Sequence, residues 1–164
     1  MKKLLLGAVA LVIVAGFGLW QFSGTAKTAP QVTFTSLDGH RFTTEDLRGK
    51  VFLVKFWATS CVTCVAQMPD TIEAYNEYSD KGYEVIAVAM DYDPPEYVRN
   101  FAQSRKLPFT VAMDSSGEIA KAFDDVKLTP TAYLVDKQGR IIKRYLGNYD
   151  KVAFRKTVER ALAG

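Results

Sequence analysis

The stretch Phe56-Trp57-Ala58-Thr59-Ser60-Cys61-Val62-Thr63-Cys64 joins an apolar run to the only two cysteines of the chain. The run, Val51 to Trp57, has the length and composition of a core strand, interrupted only by Lys55. The residues after Cys61 place apolar side chains at helical spacing. A strand that delivers a Cys-x-x-Cys pair to the start of a helix is the outline of a thiol–disulfide exchange site. The first amides of a helix are unpaired and its dipole is positive there, so a thiolate at Cys61 is expected to be stabilised. Cys64, one turn deeper, is expected to be more sheltered. Residues three apart on a helix lie roughly 5–6 Å apart between Cβ atoms, whereas a disulfide wants about 3.8 Å. A Cys61 at the non-helical cap position closes that gap.

Three other uses of the pair are weaker. A purely structural bridge closing so short a loop removes little unfolded-state entropy. Zinc wants four ligands, and the single histidine, His40, is far away in sequence. It stands beside the Asp38-Gly39 turn, where a solvated loop residue is expected. A peroxidatic cysteine of the peroxiredoxin pattern needs Thr or Ser three residues earlier, where Ala58 stands.

A length of 164 residues suits one domain with an N-terminal appendage, and 48% hydrophobic residues supply a core, which excludes a disordered chain. Without Lys2 and Lys3, 19 basic and 18 acidic residues remain. So balanced a domain offers no electrostatic footprint for nucleic acid. Met1-Lys2-Lys3 followed by the uncharged run Leu4 to Trp20 reads as a segment that sends the chain across a bacterial inner membrane. Seventeen residues just reach the lower limit of a spanning helix, and Trp20 stands where an interfacial anchor is expected. An uncleaved anchor over 1–20 is therefore expected. The alternative is cleavage near Ala26, after Gly24-Thr25-Ala26, leaving a soluble periplasmic protein. No cysteine follows the apolar run, so a lipoprotein anchor is excluded.

Residues 21–30 read as a polar linker and 31–164 as the domain. Short strands are expected at Val32–Phe34 and around Phe42, with a helical turn at Thr43–Leu47. After the cysteines a helix carries Val65, Met68, Ile72, Tyr75 and Tyr78, kinked at Pro69. The pattern continues with a strand over Tyr83–Met90, a helix from Asp93-Pro94-Pro95 to about Lys106 with Val98, Phe101 and Ala102 inward, and a strand at Phe109–Val111. A brief helix through Ala120–Phe123, strands at Thr131–Val135 and Ile141–Leu146, and a closing helix over Asp150–Leu162 complete it. That helix offers Val152, Phe154 and Val158 as inward positions. Strands alternating with helices and ending in a hairpin predict a three-layer α/β/α sandwich.

From Gln31 to Ala163 the chain resembles the membrane-tethered TlpA/ResA/DsbE-like group of thioredoxin-fold proteins. The resemblance rests on Phe56-Trp57-Ala58 before the cysteine pair, Pro69 in the active helix, and Thr129-Pro130-Thr131 before the hairpin. It implies a thioredoxin-like mixed central sheet, a dithiol at Cys61 and Cys64, and no cofactor. It also implies a cis Pro130 lying against the disulfide, leaving the N–H and C=O of Thr129 for an extended substrate strand. The implied activity is an extracytoplasmic reductase of protein disulfides, apocytochrome c among them, re-reduced by a membrane dithiol donor of the DsbD/CcdA type. An envelope copper chaperone and a disulfide-forming oxidase are the alternatives. The chain departs from its relatives at Ser60 and Val62-Thr63, where thioredoxins carry Trp and Gly-Pro. It departs again at Gln67, often glutamate in the group, and at Lys55, elsewhere a buried acid or asparagine. Lys55, Trp57 and Gln67 are thus candidates for tuning the pair. Lys55 has two readings, snorkelling past the sheet edge to water or sitting desolvated with a lowered pKa that favours a nearby thiolate. Thr59 and Ser60 also have a local reading, as caps of the active helix.

Overall fold

The computed structural model describes residues 27–164. The anchor expected over Leu4–Trp20 and the first part of the linker lie outside the described residues. Within them no helix is long and apolar enough to cross a membrane.

Among the described residues seven strands and five helices follow one another: β1 Thr33–Thr35, β2 Arg41–Thr43, β3 Val51–Trp57, α1 Val62–Ala66, α2 Met68–Tyr78, β4 Tyr83–Ala89, α3 Pro95–Ser104, β5 Thr110–Met113, α4 Glu118–Ala122, β6 Thr131–Val135, β7 Ile141–Leu146 and α5 Lys151–Ala163. The main sheet has the order β5-β4-β3-β6-β7. β4 runs parallel to both β3 and β5, whereas β6 is antiparallel to β3 and β7. This is the mixed sheet of a thioredoxin-like α/β fold. β1 and β2 form a separate hairpin.

β3 is paired on both edges and buried at all seven positions. Its alternation therefore serves two cores rather than a wet and a dry face. Leu53 and Trp57 face α2, α3 and α5, packing with Met68, Tyr78, Val98, Phe154 and Val158. Phe52, Val54 and Phe56 face the other way, against Phe34, Ile119, Phe123 and Tyr133. The long helix expected after Cys61 is divided at Gln67, which has φ −85° and ψ −10° and ends α1 before Pro69 enters the first turn of α2. Proline lacks the N–H that would continue the α1 ladder, so the axis breaks there. Gly82 closes the turn after α2 at φ 90°, a left-handed conformation that favours glycine.

Two expectations need correction. Residues 27–30, read as the end of a linker, pack onto the domain. Thr28 bridges Arg140, the Ala29 N–H donates to the Gly139 carbonyl at 2.9 Å, the Ile141 N–H donates to the Lys27 carbonyl at 2.8 Å, and Ala29 is buried. Main-chain pairing with a strand edge asks nothing of side-chain period, so a polar segment gives no sign of it. Val152, expected to point inward from α5, is 56% exposed, whereas Phe154 and Val158 are buried. Asp150 caps this helix by accepting from the Ala153 N–H at 2.7 Å, and Phe154 and Val158 share the face docked on the sheet. Tyr78 reinforces it by donating to Glu159 at 2.8 Å. Phe154→Ala should therefore lower unfolding free energy by about 3–5 kcal/mol. Val152→Ala should stay within about 0.5 kcal/mol of wild type. Urea unfolding of both variants tests this face, and equal losses would show that it is assigned wrongly.

Candidate active site

β3 ends at Trp57, and Ala58 to Ser60 turn the chain into α1. Cys61 occupies the N-cap at φ −85° and ψ 99°, and its Sγ accepts from the Cys64 N–H at 3.2 Å. The two sulfurs are bonded at 2.10 Å, with Cα atoms 5.2 Å apart, inside the usual disulfide range. The non-helical cap brings Cys61 close enough, as the spacing implied. Cys61 is half-buried and Cys64 fully buried, while Val62 between them is 82% exposed. A partner approaching from solvent meets the first sulfur and not the second. Because Cys61 supplies its own cap interaction, neither Thr59 nor Ser60 caps α1. Thr59 instead bonds to Asp93, a residue the sequence offered no reason to single out.

Thr129-Pro130 is a cis peptide, and Pro130 is buried at the entrance to β6. Thr131 pairs with Phe56, so this entrance lies at the same end of the sheet as Cys61. Neither the N–H nor the C=O of Thr129 is hydrogen-bonded among the described residues. Leu128 and Tyr92 are exposed beside it, and Tyr92 Oη lies 3.4 Å from Thr129 Oγ1.

Lys55 does not snorkel. β3 is the middle strand, no edge is within reach, and the residue is 0% exposed. Its Nζ donates to Gln67 Oε1 at 2.9 Å and stands 5.6 Å from the centroid of the Tyr149 ring. Gln67 in turn donates through Nε2 to the Gly147 carbonyl at 3.1 Å and to Asn148 Oδ1 at 2.9 Å. The break between α1 and α2 is thus tied by one side chain to β3 below and to the loop after β7. Burial pulls the Lys55 pKa down to about 8, with the Asp70 carboxylate opposing. Trp57 is fully buried, 5.1 Å from the Phe101 ring between centroids, and its indole N–H has no partner among the described residues. His40 is exposed and stacks on Phe42 at the β1–β2 turn, so it stays the loop residue the sequence suggested. No group of three or more His, Cys, Asp or Glu side chains converges as a metal site among the described residues.

The sequence profile of the Redoxin family matches residues 25–162. The thiol-disulfide oxidoreductase ResA of Bacillus thuringiensis subsp. konkukian is 36% identical over 160 residues, covering 92% of this chain and 91% of that one. The thioredoxin-like protein YneN of Bacillus subtilis is 29% identical, covering 92% and 94%. Among solved structures, that of a thioredoxin candidate from Neisseria meningitidis superposes with a TM-score of 0.79 at 37% identity, covering 85% of this chain and 92% of that one. The thioredoxin domain of a thiol-disulfide oxidoreductase from Bacteroides vulgatus superposes with a TM-score of 0.72 at 26% identity, covering 84% and 96%.

Burial of Lys55 has a consequence for stability. Below about pH 8 the ammonium is charged in the folded and the unfolded chain alike, and the burial penalty is carried in full. Between about 8 and the ordinary 10.5 the unfolded chain still holds a proton that the folded one has released. Stability contributed at this site therefore rises with pH across that window. The raised pKa values of buried Tyr78 and Tyr83 and of half-buried Tyr149 act in the opposite sense only above about pH 10. Lys55→Met should be more stable than wild type at pH 7, and its advantage should shrink by up to about 1.4 kcal/mol per unit from pH 8 to 10. Urea midpoints at half-unit steps test it. An advantage that does not change with pH would mean that Lys55 keeps an ordinary pKa.

Proposed function

Because the chain belongs to the Redoxin family and is a thiol–disulfide oxidoreductase of the TlpA/ResA/DsbE-like thioredoxin-fold group, we propose that it reduces protein disulfides outside the cytoplasm. The observation that carries the direction of attack is the asymmetry of the pair: one sulfur at a helix cap within reach of solvent, the other enclosed. In the reduced protein the Cys64 N–H is aimed at the position of a Cys61 thiolate, which lowers the pKa of that thiol. Cys61 attacks one sulfur of the substrate disulfide, forming a mixed disulfide and expelling the other substrate sulfur as a thiolate. Cys64, once deprotonated, attacks Cys61 Sγ, forms the Cys61–Cys64 bond and expels the second substrate thiolate. Two electrons pass from the protein dithiol to the substrate, whose thiolates take up the protons. The oxidised pair is returned to the dithiol by a membrane donor of the DsbD/CcdA type.

The substrate is an extended polypeptide carrying a disulfide, such as the haem-site cysteine pair of apocytochrome c. The free N–H and C=O of Thr129 offer it a strand-like register, and Val62, Tyr92 and Leu128 offer apolar contact. Lys55, charged at pH 7 and tied to the helix break through Gln67, favours the thiolate of the pair, and Trp57 walls the site from the core. Leu4–Trp20 holds the domain at the outer face of the inner membrane.

Cys61→Ser should abolish insulin reduction, and Cys64→Ser should accumulate mixed disulfides that reducing agent releases. Labelling of Cys64 ahead of Cys61 by limiting alkylating agent would reverse these roles. The potential of the pair should fall near the about −270 mV of thioredoxin, and a value near the about −120 mV of DsbA would make the protein an oxidase. The full-length chain should stay with membranes after a carbonate wash, whereas a mature N-terminus at Lys27 by mass spectrometry would make it soluble.

A further inference from the structure

Asp93 stands two residues ahead of α3, one before its N-cap position. The N-cap is Pro94, and no side chain caps the helix. Both carboxylate oxygens turn instead to Thr59, on the lead-in to Cys61. Oδ2 accepts from the Thr59 N–H at 2.6 Å and Oδ1 from Thr59 Oγ1 at 2.6 Å. Asp93 is 2% exposed, and no cation lies within ion-pairing distance of it among the described residues. Its neighbours tighten the same knot. The Met90 N–H donates to the Trp57 carbonyl at 3.0 Å, and Tyr92 reaches Thr129. Between Met90 and Asp93 the chain thus touches the end of β3, the approach to Cys61 and the loop before β6.

A neutral acceptor would satisfy Thr59. A carboxylate costs more to bury but makes shorter and stronger bonds, and it brings a negative charge onto Thr59, two residues before Cys61. In poorly solvated surroundings that charge opposes a second one. It therefore raises the free energy of the Cys61 thiolate, and with it that of the reduced pair.

We propose that Asp93 is a positioning residue for disulfide exchange: through Thr59 it holds the lead-in to Cys61, and its buried charge makes the pair a stronger reductant. This deepens the exchange reading above and rests on it.

The test compares the full chain with Asp93→Asn, Thr59→Val and Thr59→Ser. Asparagine keeps the shape, its carbonyl accepting from the Thr59 N–H and its amide donating to the hydroxyl, so it removes chiefly the charge. For each protein the readouts are the equilibrium with a glutathione redox pair, the alkylation rate of reduced Cys61 at pH 7, insulin reduction and urea unfolding. Asp93→Asn should alkylate faster and shift the glutathione equilibrium about tenfold toward the dithiol, roughly 30 mV less negative. Thr59→Val, with the charge retained, should leave that equilibrium nearly unmoved and slow insulin reduction about tenfold, while Thr59→Ser restores the rate. Variants that match wild type in equilibrium and rates, with only the unfolding midpoint lowered, overturn the proposal and leave Asp93 a brace of the fold. If Asp93→Asn does not fold, the Thr59 pair decides, and equal insulin rates for Val and Ser overturn the proposal. A wild-type protein inert toward both glutathione and insulin overturns the exchange reading itself and this proposal with it.

Discussion

Everything at the reactive end of the molecule hangs on the pairing of one strand. β3 is hydrogen-bonded on both edges, with Phe56 opposite Val88 of β4 and Thr131 of β6. That double ladder holds three loops to one end of the sheet: the lead-in to Cys61, the segment after β4, and Leu128–Pro130 before β6. None of these loops has regular structure of its own. Their positions come from the strands they continue, the usual way in which a rigid scaffold places functional loops. A shift of one residue in either ladder would also exchange the two cores, because successive β3 side chains face opposite layers.

Lys55 and Asp93 are both buried next to this frame, and they differ in how they are held. Lys55 is charged at pH 7 with one amide oxygen as its hydrogen-bond acceptor and the face of Tyr149 nearby. Such a site lowers its pKa because a single neutral dipole replaces little of the lost hydration. Asp93 spends both oxygens on donors from Thr59. One group reaches the helix break below the disulfide through Gln67, the other the segment leading into it. Their charges are opposite, so under the proposals above their effects on a Cys61 thiolate oppose each other.

Much of this was legible before any coordinates. The continuous apolar run of Val51–Trp57 and the Cys-x-x-Cys pair after it are local signals, strong because a strand buried on both faces tolerates few polar residues. The order of strands and helices, the break near Pro69 and the closing hairpin follow from period, proline and glycine in the same way. Where local signals misled, the deciding contact was distant. The pairing of Lys27–Ala29 with the start of β7 is made by main chain and leaves no mark on side-chain pattern. Val152 satisfies a helical period as well as Phe154 does, and only the docking of α5 on the sheet selects between them.

The sequence by itself determined the strand, the pair of cysteines that follows it and their separation across one turn, because each depends on residues close together in the chain. Tertiary structure alone decided the environment of that pair. Lys55 meets Gln67 because a kinked helix packs over β3, and Asp93 meets Thr59 because β4 lies beside β3 in parallel. Hydrogen bonds and desolvation act over a few ångströms of space whatever the distance along the chain. The partners of Lys55 and Asp93 become visible only when the strands have brought them together.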